Sequence, residues 1–265
     1  MHHQVSRSEK PHEYPERASV PDEYVAWNTP FPEYSPEYYV SEIVLKNDST
    51  RVKGGWADPE SPLPPSQSFT SFEGKVSCDS RGFPLNPKGR TGIAGRGLLG
   101  KWGANFAADP IVTRINPETN QLELLVILRR DWEEWALPGG MVDTGEVITK
   151  TLARELKEET NIDLNFDQSI KIYEGYVDDR RNTDNAWMET TASHIHLDIK
   201  DTDQNQNLQA GDDAKKALWM PISPSLQLST SHNDFVRKAI LEFKNRADIS
   251  PAVKMQIQIF QKSQN

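Results

Sequence analysis

Three glutamates, Glu155, Glu158 and Glu159, stand at positions i, i+3 and i+4 of one stretch, directly after Arg154. On a helix that spacing brings the three carboxylates to one side. Like charges held so close repel, and a hard divalent cation with oxygen ligands removes the repulsion. Magnesium in particular takes a few carboxylates together with waters and phosphate oxygens, and manganese accepts the same donors. An isolated cluster of this kind is more often a solvated helix face, so its neighbours decide. Here Gly140 is followed by five residues, then Glu146, then seven more, then Arg154-Glu155-Leu156-Lys157-Glu158-Glu159-Thr160-Asn161-Ile162.

The elements that must carry these groups can be read from periodicity. The apolar run 124–128, bounded by Asn116-Pro117 and Arg129-Arg130, predicts a buried strand. A helix follows, with Thr144-Gly145-Glu146 as its start signal and Ile148, Leu152 and Leu156 as its buried stripe. Asn161 can end it in the left-handed conformation. Strand content recurs at 170–176, 186–199 and 217–220, and Phe235, Ala239, Ile240 and Phe243 mark a second amphipathic helix. This is an α/β chain in which helices sandwich a mixed sheet.

Bulk properties narrow the function classes. With 265 residues the chain can bury a sufficient core, and its apolar runs are far shorter than the roughly 20 residues of a membrane helix. The lone Cys78 excludes an internal disulfide and makes a reducing, intracellular compartment the default. A net charge of −9 argues against nucleic acid as a partner. No acidic residue lies between Asp79 and Asp109, where Arg81, Lys88, Arg90, Arg96 and Lys101 alternate with seven glycines. That basic island is either a phosphate-cradling loop or a tightly packed connection, and it lacks the Gly-Lys-Ser/Thr of a Walker loop. The segment 11–67, rich in proline and aromatics, is too aromatic for a purely disordered linker.

The spacing from Gly140 to Ile162 resembles the Nudix box, with Asn161 standing where that family has glycine. The flanks, among them Trp135-Ala-Leu-Pro-Gly-Gly140, Gly175-Tyr-Val-Asp-Asp179, Arg181-Asn-Thr-Asp-Asn-Ala-Trp187 and Ala210-Gly-Asp-Asp-Ala214, resemble Nudix hydrolases of the ADP-ribose pyrophosphatase type. They equally resemble the homologous C-terminal domain of ADP-ribose-gated melastatin TRP channels. The resemblance implies an α/β/α sandwich, and a division into a tail (1–19), an irregular N-terminal cap (20–108), a Nudix core (109–248) and a tail or short helix (249–265). The ligand is expected in the cleft between cap and core.

It further implies magnesium, or manganese, on Glu155, Glu158 and Glu159, with Arg154 orienting a carboxylate, and hydrolysis of ADP-ribose to AMP and ribose 5-phosphate. An i,i+4 pair with Glu158 explains Arg154 equally well. Asp109, Gly139, Met141, Asp179, Arg181 and His232 are the expected substrate contacts, although 178–181 also reads as a solvated charged turn. Arg180 stands where relatives have proline, and Ser229 where they have tyrosine. The water's proton goes to a box glutamate, Asp212 or Asp213. His194 and His196 read as ordinary strand residues. Three functions follow: an active pyrophosphatase, a sensor reporting ADP-ribose to an attached tetrameric cation channel, or a Nudix enzyme for another nucleoside derivative. The location is then cytoplasmic or mitochondrial, or the cytosolic face of a membrane if the domain is fused to a channel.

Overall fold

The computed structural model describes residues 3–60, 68–198, 208–211, 214–229, 231–244, 246 and 249–263. The chain forms two compact units, Met1–Phe106 with Gly175–Glu189, and Ala107–Glu174 with Thr190–Asn265.

In the second unit the apolar run becomes β4 (Leu122–Arg129), which pairs antiparallel with β3 (Gly103–Ile115) through Thr113↔Leu124 and Ile115↔Leu122. Further strands are β5 (Trp135–Ala136), β6 (Gly140–Met141), β7 (Ile170–Val177), β8 (Ala186–Leu197) and β9 (Ala214–Pro221). Together they make a seven-stranded mixed sheet of order β5-β4-β3-β8-β7, with β6 on β3 and β9 on β4. β3, β7 and β8 each begin or end in the other unit.

The sequence pattern shows no strand over β3 because Asp109-Pro110 interrupts it. Pro110, which cannot donate to a ladder, falls between Ala107-Ala108, paired with β6, and Thr113, paired with β4. The strand therefore survives a residue that usually excludes one.

Helix α3 (Ile148–Thr160) buries Leu152 and Leu156 against Ala108, Val112, Leu125, Ile162, Phe166 and Leu197. Each of the two leucines contributes about 1.5–3 kcal/mol by leaving water. The helix starts later than Thr144-Gly145-Glu146 suggested: Gly145 has φ +82, outside the helical region, and Val147 is the N-cap. Asn161 closes it at φ 61, ψ 15. On β8, Ile195 and Leu197 point to α3, while His194 and His196 point to the opposite face. There Thr113 Oγ1 lies 2.8 Å from His194 Nε2 and 2.9 Å from His196 Nδ1, under Phe243 of α4 (His232–Phe243). Helix α5 (Pro251–Ser263) is tied to β4 by Gln256, whose amide exchanges hydrogen bonds with Leu122 N and O at 2.8 and 2.9 Å. Helices on both faces of one sheet give an α/β/α sandwich.

The first unit contains α1 (Val5–Ser8), β1 (Glu37–Val40), α2 (Glu42–Lys46) and β2 (Ile93–Gly97), with β1 and β2 parallel. The proline and aromatic-rich segment folds around a cation. Arg90 donates to Tyr24 O, Ala26 O and Thr29 O and lies 4.9 Å from the centre of the Trp27 ring and 5.3 Å from that of Tyr34. Arg96 donates to Asp58 O and Gly100 O and is 1% exposed. These two arginines of the basic island are committed to packing, which favours the reading as a connection. Among the described residues no helix is long and apolar enough to cross a membrane.

The left-handed stop of α3 makes a direct prediction. Asn161→Gly should leave the thermal midpoint nearly unchanged. Asn161→Val, which must carry a branched Cβ at positive φ, should cost about 1–2 kcal/mol in denaturant unfolding.

Candidate active site

Helix α3 turns its polar side toward β6. Arg154 sits two turns into the helix and reaches back to the loop before it. Its Nε and Nη2 donate to Glu146 Oε1 and Oε2 at 3.0 and 2.8 Å, a forked pair. Nη1 donates to Glu155 Oε1 at 2.6 Å and Glu158 Oε2 at 3.2 Å, and Nη2 also to Met141 O at 3.1 Å. Arg154 thus contacts the Glu155 carboxylate and also makes the i,i+4 pair with Glu158. Glu146, to which sequence reasoning gave no site role, is its strongest partner and also accepts from Thr151 Oγ1 at 2.8 Å.

The remaining carboxylates are fixed by the backbone of the Gly139-Gly140 turn. Glu159 Oε2 accepts from Gly139 N at 2.9 Å. A Cβ on Gly140 would lie 2.5 Å from the Glu155 carboxylate, so only glycine leaves that carboxylate its seat. Burial raises the Glu155 pKa; Arg154 opposes this, and the negative charges of Glu158 and Glu146 add to the rise. Glu146 is the reverse case, held down to about 2, first by its hydrogen bonds from Arg154, with Thr151 and Asp143 N assisting against burial.

Around the same turn stand Asp109 and His232. Asp109 Oδ2 accepts from Thr190 Oγ1 at 2.6 Å, and its Oδ1 lies 3.8 Å from His232 Nε2. His232 Nδ1 accepts from Leu137 N at 3.1 Å, which fixes the neutral ring with its hydrogen on Nε2, facing Asp109. Thr190 and Leu137 carry no sequence signal for these roles, because one acts through a cross-strand contact and the other through its backbone. Asp109, Gly139, Met141, Arg154, Glu155, Glu158, Glu159 and His232 thus gather in the second unit. Asp179 and Arg181 belong to the first, where Arg181 Nε and Nη2 pair with Asp179 Oδ1 and Oδ2 at 2.9 and 2.8 Å. Asp212 and Asp213 lie outside the described residues.

The donor set suits a hard dication, since Glu155, Glu158 and Glu159 offer only carboxylate oxygens and Glu155 has more burial than Arg154 offsets. Among the described residues, however, no three acidic, histidine or cysteine side chains are already gathered on one point. Arg154 and Gly139 N hold them instead.

Residues 107–240 match the NUDIX domain model, and residues 20–103 match that of the NUDT9-like, N-terminal domain. The chain belongs to the Nudix family. It is 40% identical over 274 residues to the mitochondrial ADP-ribose pyrophosphatase of Rattus norvegicus, a match covering 89% of this chain and 77% of the rat protein. It is 39% identical over 276 residues to the transient receptor potential cation channel subfamily M member-like 2 of Nematostella vectensis. That match takes in 90% of this chain and only 17% of the channel subunit. A third relative, subfamily M member 2 of Rattus norvegicus, is 34% identical over 84% of this chain and 16% of its own length.

In this Nudix box the forked pair dictates an acid-range behaviour. Because the folded pKa of Glu146 is depressed, its contribution to stability is present above about 4.5 and is lost as pH falls through about 2. Carboxyl-carbon NMR should find Glu146 ionised at pH 3 in the parent and titrating near the ordinary glutamate value in Arg154→Gln. The stability difference between the two proteins should shrink as pH is lowered across that window.

Proposed function

We propose that this chain is a divalent-cation-dependent Nudix hydrolase that cleaves ADP-ribose to AMP and ribose 5-phosphate. The observation that carries this is the 40% identity, across an alignment covering 89% of the chain, to a mitochondrial ADP-ribose pyrophosphatase. The carboxylates of Glu155 and Glu158 on Arg154, with that of Glu159 on Gly139 N, support it.

Glu155, Glu158 and Glu159 would hold magnesium, with manganese as an alternative. When bound, the dication neutralises diphosphate charge and acidifies water. Arg154 sets the direction of the Glu155 and Glu158 carboxylates while Gly139 N sets that of Glu159. Attack of water on one phosphorus forms a P–O bond and breaks the bridging one, and the water's proton passes to a box carboxylate, Asp212 or Asp213. Asp109, Gly139, Met141 and His232 would contact the substrate. Asp179 and Arg181 are assigned to the same substrate, a guanidinium fork being suited to phosphate or ribose edges.

The similarity to channel subunits supports a second reading, in which the same fold binds ADP-ribose and reports occupancy to an attached channel. Turnover separates the two. The hydrolytic reading expects AMP and ribose 5-phosphate in equal amounts, dependent on magnesium and abolished by EDTA. Binding of ADP-ribose without product would overturn it and favour the sensor.

Two variants probe the site's parts. Replacing Glu158 and Glu159 together by glutamine should lower kcat by orders of magnitude while the fold persists, with ADP-ribose still bound in calorimetry. Gly140→Ala should displace the Glu155 carboxylate at small cost in melting temperature, because the clash is with the end of a flexible side chain. A misplacement on this scale should reduce kcat by about 100-fold.

A further inference from the structure

Residues 3–17 precede the region matched by the N-terminal family model, which begins at residue 20. Among them Val5, Ser6, Glu9, Tyr14 and Arg17 are nonetheless bonded to the loop 178–182 of the same unit. The Asp178 carboxylate accepts from Val5 N and Ser6 N, each at 2.9 Å, and from the Ser6 hydroxyl at 2.5 Å, closing the first turn of α1. Arg17 Nη2 donates to Arg180 O at 2.8 Å and Asn182 O at 3.1 Å, and its Nη1 donates to Thr91 O. Glu9 pairs with Arg180 at 3.4 Å.

Tyr14 is the centre of this segment. Its hydroxyl donates to Arg181 O at 2.8 Å and accepts from Leu98 N at 2.7 Å, in a site where the residue is 3% exposed. The seat is cut to fit: Gly97 has φ +58, and a Cβ there would collide with the Tyr14 hydroxyl. A contact this buried and this specific fixes the backbone of Arg181, not merely the surface it covers.

The groups captured by the segment are the carboxylate of residue 178 and the carbonyls of 180, 181 and 182. They flank the Asp179–Arg181 pair on both sides. An arginine that must order its own loop before meeting a ligand gives up binding energy to conformational entropy, and a loop already held does not.

We propose that residues 3–17 are a positioning strap for substrate recognition, holding the 178–182 loop so that Arg181 is preorganised for the ligand. The strap rests on the reading that Arg181 meets the substrate. Tyr14, Arg17 and Asp178 are positioning residues: they act on KM and leave the chemical step alone.

Steady-state kinetics on the full chain with ADP-ribose and magnesium test this, using Tyr14→Phe and Arg17→Met, each alone and combined with Arg181→Ala, beside thermal melts. Each strap variant should raise KM about fivefold with kcat within about twofold of the parent. Neither should add to the KM effect of Arg181→Ala, because both act through that residue. Arg17→Lys keeps a donor for the loop carbonyls and should recover at least half of the loss. A lowered melting temperature with parental KM, or effects fully additive to Arg181→Ala, would overturn the strap while leaving the substrate reading intact. If Arg181→Ala itself leaves KM unchanged, the assignment of Arg181 to the substrate fails, and the strap's role falls with it.

Discussion

Glu146, Glu155, Glu158 and the carbonyl of Met141 all converge on the guanidinium of Arg154. Because the guanidinium is planar and its donors are fixed in direction, satisfying these acceptors leaves little freedom in how α3, the loop before it and β6 sit together. The glutamates would otherwise repel one another on one helix face. One cation therefore does two things: it permits four negative or dipolar groups to share a small volume, and it ties the chain before the helix to the helix itself. A lysine could supply the charge but not the fork to Glu146.

The apolar side of α3 makes this polar arrangement durable. Leu152 and Leu156 are fully buried against β3, β4 and β8, so the helix cannot roll without exposing them. The Gly139-Gly140 turn is placed by the pairing of β6 with Ala107 and Ala108. The sheet thus fixes the turn and the hydrophobic stripe fixes the helix. The carboxylates are then set by short side-chain contacts between two rigid supports.

Much of this was legible in the sequence, for physical reasons that can be named. The stripe of Ile148, Leu152 and Leu156 and the run 124–128 are long enough in one period to identify a helix and a strand. Asn161 was legible as a stop because few side chains tolerate its φ. The start of α3 was not, since a glycine at positive φ can belong to a turn before a helix as readily as to its first turn. β3 was hidden by Asp109-Pro110, whose tolerance depends on which partners lie beside it. The engagement of Glu146 by Arg154 depends on an eight-residue separation closing through a loop, and no helical or strand period encodes that. Thr190 and Leu137 act across the fold and leave no local trace.

Thr113 offers a last consequence. Its single hydroxyl lies between nitrogens of His194 and His196, and a hydroxyl has one hydrogen to give. The oxygen can accept twice but donate only once, so if both contacts are hydrogen bonds at most one imidazole nitrogen accepts from the threonine and at least one donates to it. Burial, with the charges of His196 and Arg246 adding to it, holds the His194 pKa down to about 3, so at neutral pH this ring carries one hydrogen and must place it on one nitrogen or the other. The tautomers of the two histidines are then not fully independent: if one ring presents a bare nitrogen to the threonine, its neighbour must present an N–H. Beneath Phe243 the sheet thus excludes one combination of ring states, the one with both facing nitrogens bare, by proton positions and not by charge.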